Sequence, residues 1–318
     1  SSEGVTPADK KGSFGMRVAV LGAGAVGGYL GGLLAHAGND VTLIARGEQL
    51  RAIQSNGLRV HSERGDFTVQ VRAAERTDGV GPVDLVLFTV KTYQTQGAVR
   101  LLRPLLADGT TVLTLQNGAG SWEHLQESLE DGRVLPGAIY IEVSVDAPGV
   151  VRQRGNVYRL VFGEADGSVS GRVQRIAAMF QDAGMPPEVS TDVRKVLWTK
   201  WLFIATLAGV TSASRTSIAE VLALPASRKL AVDVMREIEA VGRKRGVNLD
   251  SEVVEQTLSY MDHEARSLRA SMQIDLENGR PLELEALNGA VVRLGREVGV
   301  PTPANETIYG LLKVHDSR

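Results

Sequence analysis

The strongest constraint on the fold is a glycine-rich hexapeptide near the start of the chain. Residues 22–27 read GAGAVG, with glycine at the first, third and sixth positions. The apolar run Arg17–Leu21 precedes this loop, and a helical pattern follows it to Ala37, where Gly38 and Asn39 predict a helix end. A buried strand that leads through GxGxxG into a helix is typical of the first unit of a dinucleotide-binding domain.

The glycines of such a loop have separate physical roles. Gly22 permits a tight turn, Gly24 lets the backbone approach a pyrophosphate, and Gly27 lets the helix pack close to the strand. Free N–H groups at the start of the helix then attract the phosphates. The alternative is a glycine-rich packing turn that binds no ligand. We predict that the whole loop binds the cofactor through Gly22, Ala23, Gly24, Ala25, Val26 and Gly27.

The residue after the second strand predicts which dinucleotide is bound. Enzymes that use NAD usually carry Asp or Glu about 20 residues after the loop, where the carboxylate binds the ribose 2′-hydroxyl. Here the apolar strand Val41–Ala45 is followed by Arg46, and the nearest acid is Glu48. A guanidinium can pair with a 2′-phosphate, and Arg51 could assist. We therefore predict NADPH as the cofactor, the alternative being that Arg46 is a solvated surface residue.

The pattern of apolar residues changes about halfway along the chain. Residues 16–190 alternate short apolar strands with helical segments, which is typical of a mostly parallel sheet with helices on both faces. Residues 191–318 are helical by pattern, with helices expected at Val193–Ala208, Ile218–Arg245, Ser251–Ala270 and Leu282–Val298. We predict an α/β Rossmann-like N-terminal domain and an all-α C-terminal domain. Polar residues 1–15 are expected to be a disordered tail or an addition to the native chain.

Within the first domain the strands are predicted individually. Continuous apolar runs predict buried strands at Val83–Val90 and Thr111–Leu115. Alternating patterns on either side of the polar sequence SERGD predict a hairpin of Leu58–His61 with Phe67–Val71. Later strands are expected at Val134–Val145 and Val157–Phe162.

Composition excludes several functional classes. The chain of 318 residues has no cysteine, and its 35 Lys and Arg nearly balance its 37 Asp and Glu. Thiolate catalysis and zinc–thiolate sites are therefore excluded, and a nucleic-acid partner is not expected. The five histidines lack metal-ligand spacing, so no metal is expected. The uncharged stretch Val18–Asn39 could span a bilayer by length, but its strand–glycine–helix pattern argues against a membrane partner.

Lys200 is the best candidate for a proton donor. Its neighbours in WTKWLFI, residues 198–204, are all apolar except Thr199. Burial of a lysine in such surroundings would lower its pKa and bring the amine into range for acid catalysis. The ordinary alternative is a lysine that extends past the apolar surface into solvent.

Three other polar residues lie where a site could form. Glu283 is expected to open a helix and to share an apolar face with Leu287, so its carboxylate needs a partner such as Lys200 or a substrate hydroxyl. Lys91 and Asn117 each follow a predicted parallel strand, and α/β sheets bind ligands at that edge. The alternatives are a solvated residue at a helix start for Lys91 and a turn former for Asn117.

Taken in order, the motifs resemble those of the ketopantoate reductase (2-dehydropantoate 2-reductase) family. They are GAGAVG, VTLIAR ending at Arg46, FTVK ending at Lys91, LQNG containing Gln116 and Asn117, WTKW around Lys200, SMQIDLENG from Ser271, LELEALNG containing Glu283, and GVPTPAN at Gly299–Asn305. The later motifs in this order are far more specific than the glycine loop. The resemblance covers nearly all of residues 16–318.

The resemblance implies a Rossmann domain, a helical domain of the 6-phosphogluconate-dehydrogenase C-terminal type, and an active site in the cleft between them. It implies a cytoplasmic enzyme of pantothenate biosynthesis, often a homodimer, that uses NADPH to reduce a small 2-oxo acid, ketopantoate, to pantoate. Lys200 would be the general acid, and Glu283 would hold the substrate hydroxyl and tune Lys200. Ser271 would bind the substrate carboxylate. Asn117 and Lys91 would both lie in the cofactor and substrate region.

The sequence departs from the family pattern at two positions. Typical members carry asparagines one and two helical turns after the catalytic lysine, where this chain has Ile204 and Ala208. The nearest alternative is therefore a reductase of the same fold that acts on a more apolar carbonyl or imine substrate. A second alternative is a dinucleotide-binding sensor without catalysis, although a sensor would need neither Lys200 nor Glu283.

Overall fold

The computed structural model describes residues 15–129 and 132–316, so the tail predicted at residues 1–15 lies almost entirely outside the described residues. The strands in these residues are β1 Arg17–Leu21, β2 Asp40–Ile44, β3 Leu58–His61, β4 Phe67–Val69, β5 Arg72–Ala74, β6 Leu85–Phe88, β7 Thr111–Thr114, β8 Val134–Ala147, β9 Val150–Phe162 and β10 Glu188–Val189. All ten form one sheet in the order β4-β3-β9-β8-β7-β6-β1-β2-β5, with β10 paired to β9.

The centre of the sheet is parallel. Strands β7, β6, β1, β2 and β5 are parallel neighbours, whereas β3 with β4 and β8 with β9 are antiparallel. Strand β8 changes partner along its length, because Val134–Pro136 pairs with β7 and the residues from Gly137 pair with β9. The predicted hairpin is confirmed as β3 and β4. Strand β5 was not predicted, since its three residues carry no alternating apolar pattern.

Helices cover both faces of this sheet, as the pattern predicted. Successive β1 residues enter different cores, with Val18 and Val20 in one cluster and Ala19 and Leu21 in the other. Such strands are buried on both sides, which explains their continuous apolar runs. The helices of this part are α1 Ala25–His36, α2 Gly47–Asn56, α3 Thr95–Leu102, α4 Ser121–Leu129 and α5 Gly171–Asp182.

The second half of the chain is helical. The helices of this half are α6 Val193–Ser214, α7 Ile218–Ala223, α8 Pro225–Lys244, α9 Val253–His263, α10 Ser271–Glu277, α11 Asn288–Val298 and α12 Pro303–Asp316. Helix α6 packs against α7, α8, α10 and α12 and also touches β8. Among the residues described, α6 is the one helix long and apolar enough to cross a bilayer, but 67% of its most apolar window is buried inside the protein. It is therefore the core helix of this domain.

Four predicted helices differ from the observed ones. Helix α6 continues past its predicted end at Ala208 to Ser214. The pattern at 218–245 contains two helices, because Pro225 lacks an N–H and starts a new helix after Leu224. The helix predicted at 251–270 ends at His263. The helix predicted from Leu282 begins only at Asn288, so Glu283 does not lie on it.

We propose that the domains divide between residues 190 and 191. Strand β10 ends at Val189, and α6 starts three residues after Ser190. The side chain of Asp192 accepts a hydrogen bond from the N–H of Lys195 at 3.1 Å and so caps α6. The uncharged stretch Val18–Asn39 is divided between β1, the glycine loop and α1, so it is not a single helix.

Candidate active site

The glycine loop has the geometry that its sequence predicted. Gly22 has φ +107°, and a Cβ there would lie 2.7 Å from the backbone nitrogen of Val90. A Cβ on Gly27 would lie 2.2 Å from the carbonyl oxygen of Gly22, so only glycine permits this close packing. Gly24 differs, because a Cβ there would meet nothing within 4 Å. The backbone at Gly24 is therefore open on the side where a phosphate would approach.

The start of α1 can receive an anionic group. Gly24 is the N-cap and provides no side chain to accept hydrogen bonds from the N–H groups of the first turn, which includes Ala25 and Val26. These groups, with the positive end of the helix dipole, favour a phosphate. The first three loop residues, 22–24, form one wall of a cavity of about 570 Å³ that is also lined by Ala45, Arg46 and Tyr93, whereas residues 25–27 do not line it. The residues present thus fit the pyrophosphate and ribose of a dinucleotide.

Gln49 ties the glycine loop to the rest of the sheet. Its Nε2 donates to the carbonyl oxygen of Ala23 at 3.2 Å, and its Oε1 accepts from the N–H of Gly149 at 2.8 Å. Gln49 also lines the cavity. Sequence analysis did not identify this residue, since the contact with Gly149 spans 100 positions of the chain.

Lys200 projects from α6 towards the sheet. Its Nζ donates to the carbonyl oxygen of Ile139 at 2.8 Å and to Oδ1 of Asn117 at 3.3 Å. The same ammonium lies 5.3 Å from the ring centroid of Tyr140. The lysine is partly buried, so it neither extends freely into solvent nor lies deep in the core. A side chain of the helical domain is thus held by groups of the N-terminal domain.

This environment changes the protonation equilibrium of the amine. Burial disfavours the charged form and lowers the pKa of Lys200 to about 8, while the nearby negative charge of Glu283 acts in the opposite direction. An amine with this pKa is mostly protonated at neutral pH and releases its proton more easily than an ordinary lysine. Lys200 therefore has the properties required of a general acid.

Glu283 lies beside the other candidate lysine. Its Oε1 accepts from the N–H of Thr92 at 3.1 Å, and its Oε2 lies 3.5 Å from Nζ of Lys91. The expected partner was Lys200 or a substrate hydroxyl, and the side chain that the structure places beside Glu283 is Lys91. The reason is that Glu283 lies in the irregular segment before α11, where its carboxylate meets the 3₁₀ turn Thr92–Gln94 after β6. Glu283 still acts on Lys200 through its charge.

Asp275 completes the cluster around Lys91. Its Oδ2 lies 3.2 Å from Nζ of Lys91, and its Oδ1 lies 3.1 Å from Nε of Arg280. Burial lowers the pKa of Lys91, but the charges of Glu283 and Asp275 outweigh burial and raise it, so Lys91 stays charged. Asp275 was missed by sequence analysis. Its position one helical turn after Ser271 was the available signal.

The remaining candidates lie at the edges of this cluster. Asn117 is partly buried in the turn after β7, and Gly118 beside it has φ +96°. Ser271 is exposed at the start of α10, one turn from Asp275. Gln116 has a structural role, because its Nε2 donates to the carbonyl oxygen of Val90 and to Oγ1 of Thr95. Lys91 and Asn117, predicted to bind cofactor as well as substrate, lie outside the set of residues that line the large cavity.

The face of α6 beyond Lys200 is apolar. Ile204 is partly buried one turn later, and Ala208 is buried two turns later. The departure from the family pattern therefore lies on the same helix face as the amine. Both positions, at which the resemblance predicts asparagine, carry apolar side chains here.

Fold and site together are those of a two-domain oxidoreductase, with a glycine loop suited to a dinucleotide and a partly buried lysine, Lys200, that reaches from the helical domain to the N-terminal domain. The family model described as ketopantoate reductase PanE/ApbA matches residues 18–167, and the model of its C-terminal domain matches residues 192–316. The chain belongs to the ketopantoate reductase family, whose members are nicotinamide-dinucleotide-dependent reductases.

Individual relatives are similar to this chain over nearly its whole length. A 2-dehydropantoate 2-reductase of Mesorhizobium japonicum is 33% identical over 94% of this chain and 97% of its own. The uncharacterized oxidoreductase YkpB of Bacillus subtilis is 30% identical over 95% of this chain and 99% of its own. The crystal structure of a PanE/ApbA family ketopantoate reductase from Ralstonia eutropha has a TM-score of 0.88 at 34% identity, covering 95% of this chain and 99% of that one.

Proposed function

We propose that this protein uses NADPH to reduce a 2-oxo acid, ketopantoate, to the 2-hydroxy acid, pantoate. The observation that carries the proposal is the position of Lys200, whose partly buried ammonium reaches Asn117 and the Ile139 carbonyl oxygen at the edge of the cofactor domain. Relatives with the name 2-dehydropantoate 2-reductase support the choice of substrate. Assaying NADPH oxidation with ketopantoate tests it.

In the proposed mechanism the cofactor supplies the hydride that reduces the carbonyl carbon. Lys200 donates a proton from Nζ to the carbonyl oxygen as negative charge develops there. Asn117 and the carbonyl oxygen of Ile139 hold two of the three N–H groups of Lys200, which leaves one for the substrate. The chain therefore presents the donor in a fixed orientation before the substrate arrives.

Other residues of the cleft would orient the substrate. Ser271 is proposed to bind the carboxylate, and Glu283 the hydroxyl group, of the 2-oxo acid. Lys91 is held at the end of β6 by the two buried carboxylates of Glu283 and Asp275. The two carboxylates occupy two N–H groups of its ammonium, and the third would be free to donate to a substrate at the junction of the domains.

The apolar face after Lys200 favours a second candidate substrate. With Ile204 and Ala208 in place of polar residues, the cleft suits a 2-oxo acid with a larger apolar substituent, or a related carbonyl or imine. A panel of such substrates, compared with ketopantoate by kcat/KM, distinguishes the two. Higher kcat/KM for the bulkier apolar 2-oxo acids would identify them as the preferred class and replace ketopantoate in the proposal.

The pKa of Lys200 gives a prediction about pH. Because the amine must be protonated to act as acid, kcat/KM for reduction should be level below pH about 8. Above that pH it should fall about tenfold for each further unit, since the neutral amine has no proton to donate easily. Initial rates across this range, at saturating NADPH, measure the profile. A profile that stays level to pH 10 or higher would contradict the acid role, since an unshifted lysine has a pKa of about 10.4.

Arg46 gives a prediction about coenzyme preference. It is exposed at the N-cap of α2 and lines the large cavity beside the glycine loop. The Arg46→Ala variant should bind NADPH about tenfold more weakly, because an ionic hydrogen bond to the 2′-phosphate is lost. NADH affinity should stay as in the parent. Fluorescence titrations with both coenzymes measure this, and an unchanged ratio of affinities would remove Arg46 from the proposed site.

The oligomeric state and the cellular location of the protein are further parts of the proposed function. From the resemblance we expect a homodimer in the cytoplasm that acts on a small molecule and has neither nucleic-acid nor membrane partners. Light scattering on the purified protein checks the assembly. The dimer requires twice the chain mass of 34.0 kDa.

A further inference from the structure

We propose that Tyr140 is a positioning residue for Lys200. The ring of Tyr140 holds the ammonium group of Lys200 against the N-terminal domain. The inference rests on the proposed role of Lys200 as proton donor. It assigns a function to an aromatic side chain on β8 that sequence analysis did not single out. No motif or spacing distinguishes Tyr140 from an ordinary strand residue.

The geometry places the ring and the ammonium together. Nζ of Lys200 lies 5.3 Å from the ring centroid of Tyr140, within the range of about 6 Å over which an aromatic face attracts a cation. The other two contacts of Nζ, with Asn117 and the carbonyl oxygen of Ile139, come from the same domain as the ring. Ile139 and Tyr140 are adjacent on β8, so one strand supplies both a carbonyl oxygen and a ring.

The ring itself is held in place. Tyr140 pairs directly with Arg159 across β8 and β9, and the Arg159 guanidinium carbon lies 5.0 Å from the ring centroid. Arg159 in turn donates to Oε2 of Glu188 from Nε at 2.9 Å and from Nη2 at 2.8 Å. Tyr140 also packs against a small cluster that includes Leu197 of α6. The ring is thereby fixed between the sheet and the helix that carries Lys200.

A ring suits this position better than a carboxylate would. A carboxylate in contact with Lys200 would hold the proton tightly, whereas a ring stabilises the charged amine by a modest amount. The charged groups that act here are Glu283, whose charge raises the pKa of Lys200, and Arg159 beyond the ring, which is paired with Glu188. Burial raises the pKa of Tyr140 itself, so its phenol stays neutral and does not compete as an acid.

The test measures the ionisation of Lys200 without any substrate. The protein has eight lysines, and the ¹³Cε NMR signal of Lys200 is the one that disappears in the Lys200→Arg variant. In Tyr140→Leu the titration midpoint of this signal should fall by about half a unit to one unit. Tyr140→Phe is the matched control, since it keeps the ring and should keep the midpoint of the parent.

Kinetics provide the second readout. In Tyr140→Leu, kcat should fall about two- to fivefold at pH 8 while KM for the 2-oxo acid changes little, because fewer molecules carry the protonated amine. The break in the pH profile should move down with the NMR midpoint. A merely structural role would lower stability and NADPH affinity without moving either value. Tyr140→Phe should restore kcat and the pH break.

NADPH binding verifies that each Tyr140 variant is folded. If Tyr140→Leu does not fold, Tyr140→Met takes its place, because methionine fills similar space without a ring. An unchanged Lys200 midpoint in the folded variant overturns the proposal, as does an equal shift in Tyr140→Phe. If the parent reduces no 2-oxo acid, the proposed function fails instead, and the NMR titration still decides whether the ring holds the ammonium.

Discussion

Replacing Lys200 with alanine should lower kcat/KM for the 2-oxo acid by about 10²–10⁴-fold, the usual contribution of a general acid. NADPH affinity should stay close to that of the parent, since Lys200 touches Asn117, Ile139 and Tyr140 but does not line the large cavity beside the glycine loop. Steady-state rates and fluorescence titration of NADPH measure the two quantities separately. The residual activity of Lys200→Ala should also lose the break near pH 8.

Lys195 provides the matched control. It lies on the same helix, five residues earlier, and its Nζ donates to Oδ1 of Asp250 at 2.6 Å near the surface. Lys195→Ala should therefore keep the kcat/KM of the parent. If Lys200→Ala retains most of its activity, or if both variants lose activity equally, Lys200 is not the proton donor.

Glu283→Gln should lower kcat/KM by about 30- to 300-fold, the second largest effect that we expect. Glu283 is 5% exposed. Its carboxylate accepts a hydrogen bond from the N–H of Thr92 and forms an ion pair with Lys91. The amide keeps the volume but removes the negative charge, so Lys91 retains only Asp275 as an ionic partner. Because the charge of Glu283 raises the pKa of Lys200, the break in the pH profile should also move below pH 8.

Glu285 is the control for this change. It lies two residues further on, is exposed, and accepts from Tyr309 and Lys313 on α12. Glu285→Gln should leave kcat/KM and the pH profile unchanged. A Glu283→Gln protein with the rate and pH profile of the parent would show that the carboxylate only supports the fold.

The glycine and apolar patterns of the sequence correctly predicted the glycine loop and the central strands. The glycine loop is an example, because Gly27 packs on the carbonyl oxygen of Gly22, five residues earlier, although Gly22 itself packs on Val90 after the distant strand β6. The apolar runs of β1, β6 and β7 were recognisable because both faces of these strands are buried. Lys200 was singled out because it interrupts the apolar segment WTKWLFI, and its role as proton donor stays a prediction.

Contacts between distant segments were beyond such patterns. Glu283 was expected at the start of a helix with Lys200 or a substrate hydroxyl as partner, yet it lies in an irregular segment beside Lys91, 192 residues earlier in the chain. Gln49, Asp275 and Tyr140 were not identified for the same reason, since each acts through a partner that only the tertiary structure brings near. The break at Leu224 was missed because the amphipathic pattern continues across it.

The most direct test of the account is a stoichiometric measurement of NADPH oxidation with ketopantoate and with bulkier apolar 2-oxo acids. The account predicts saturable turnover with at least one of these substrates and formation of one 2-hydroxy acid for each NADPH consumed. Tight NADPH binding with no turnover of any 2-oxo acid would contradict it. The cleft would then have to serve a different carbonyl or imine substrate.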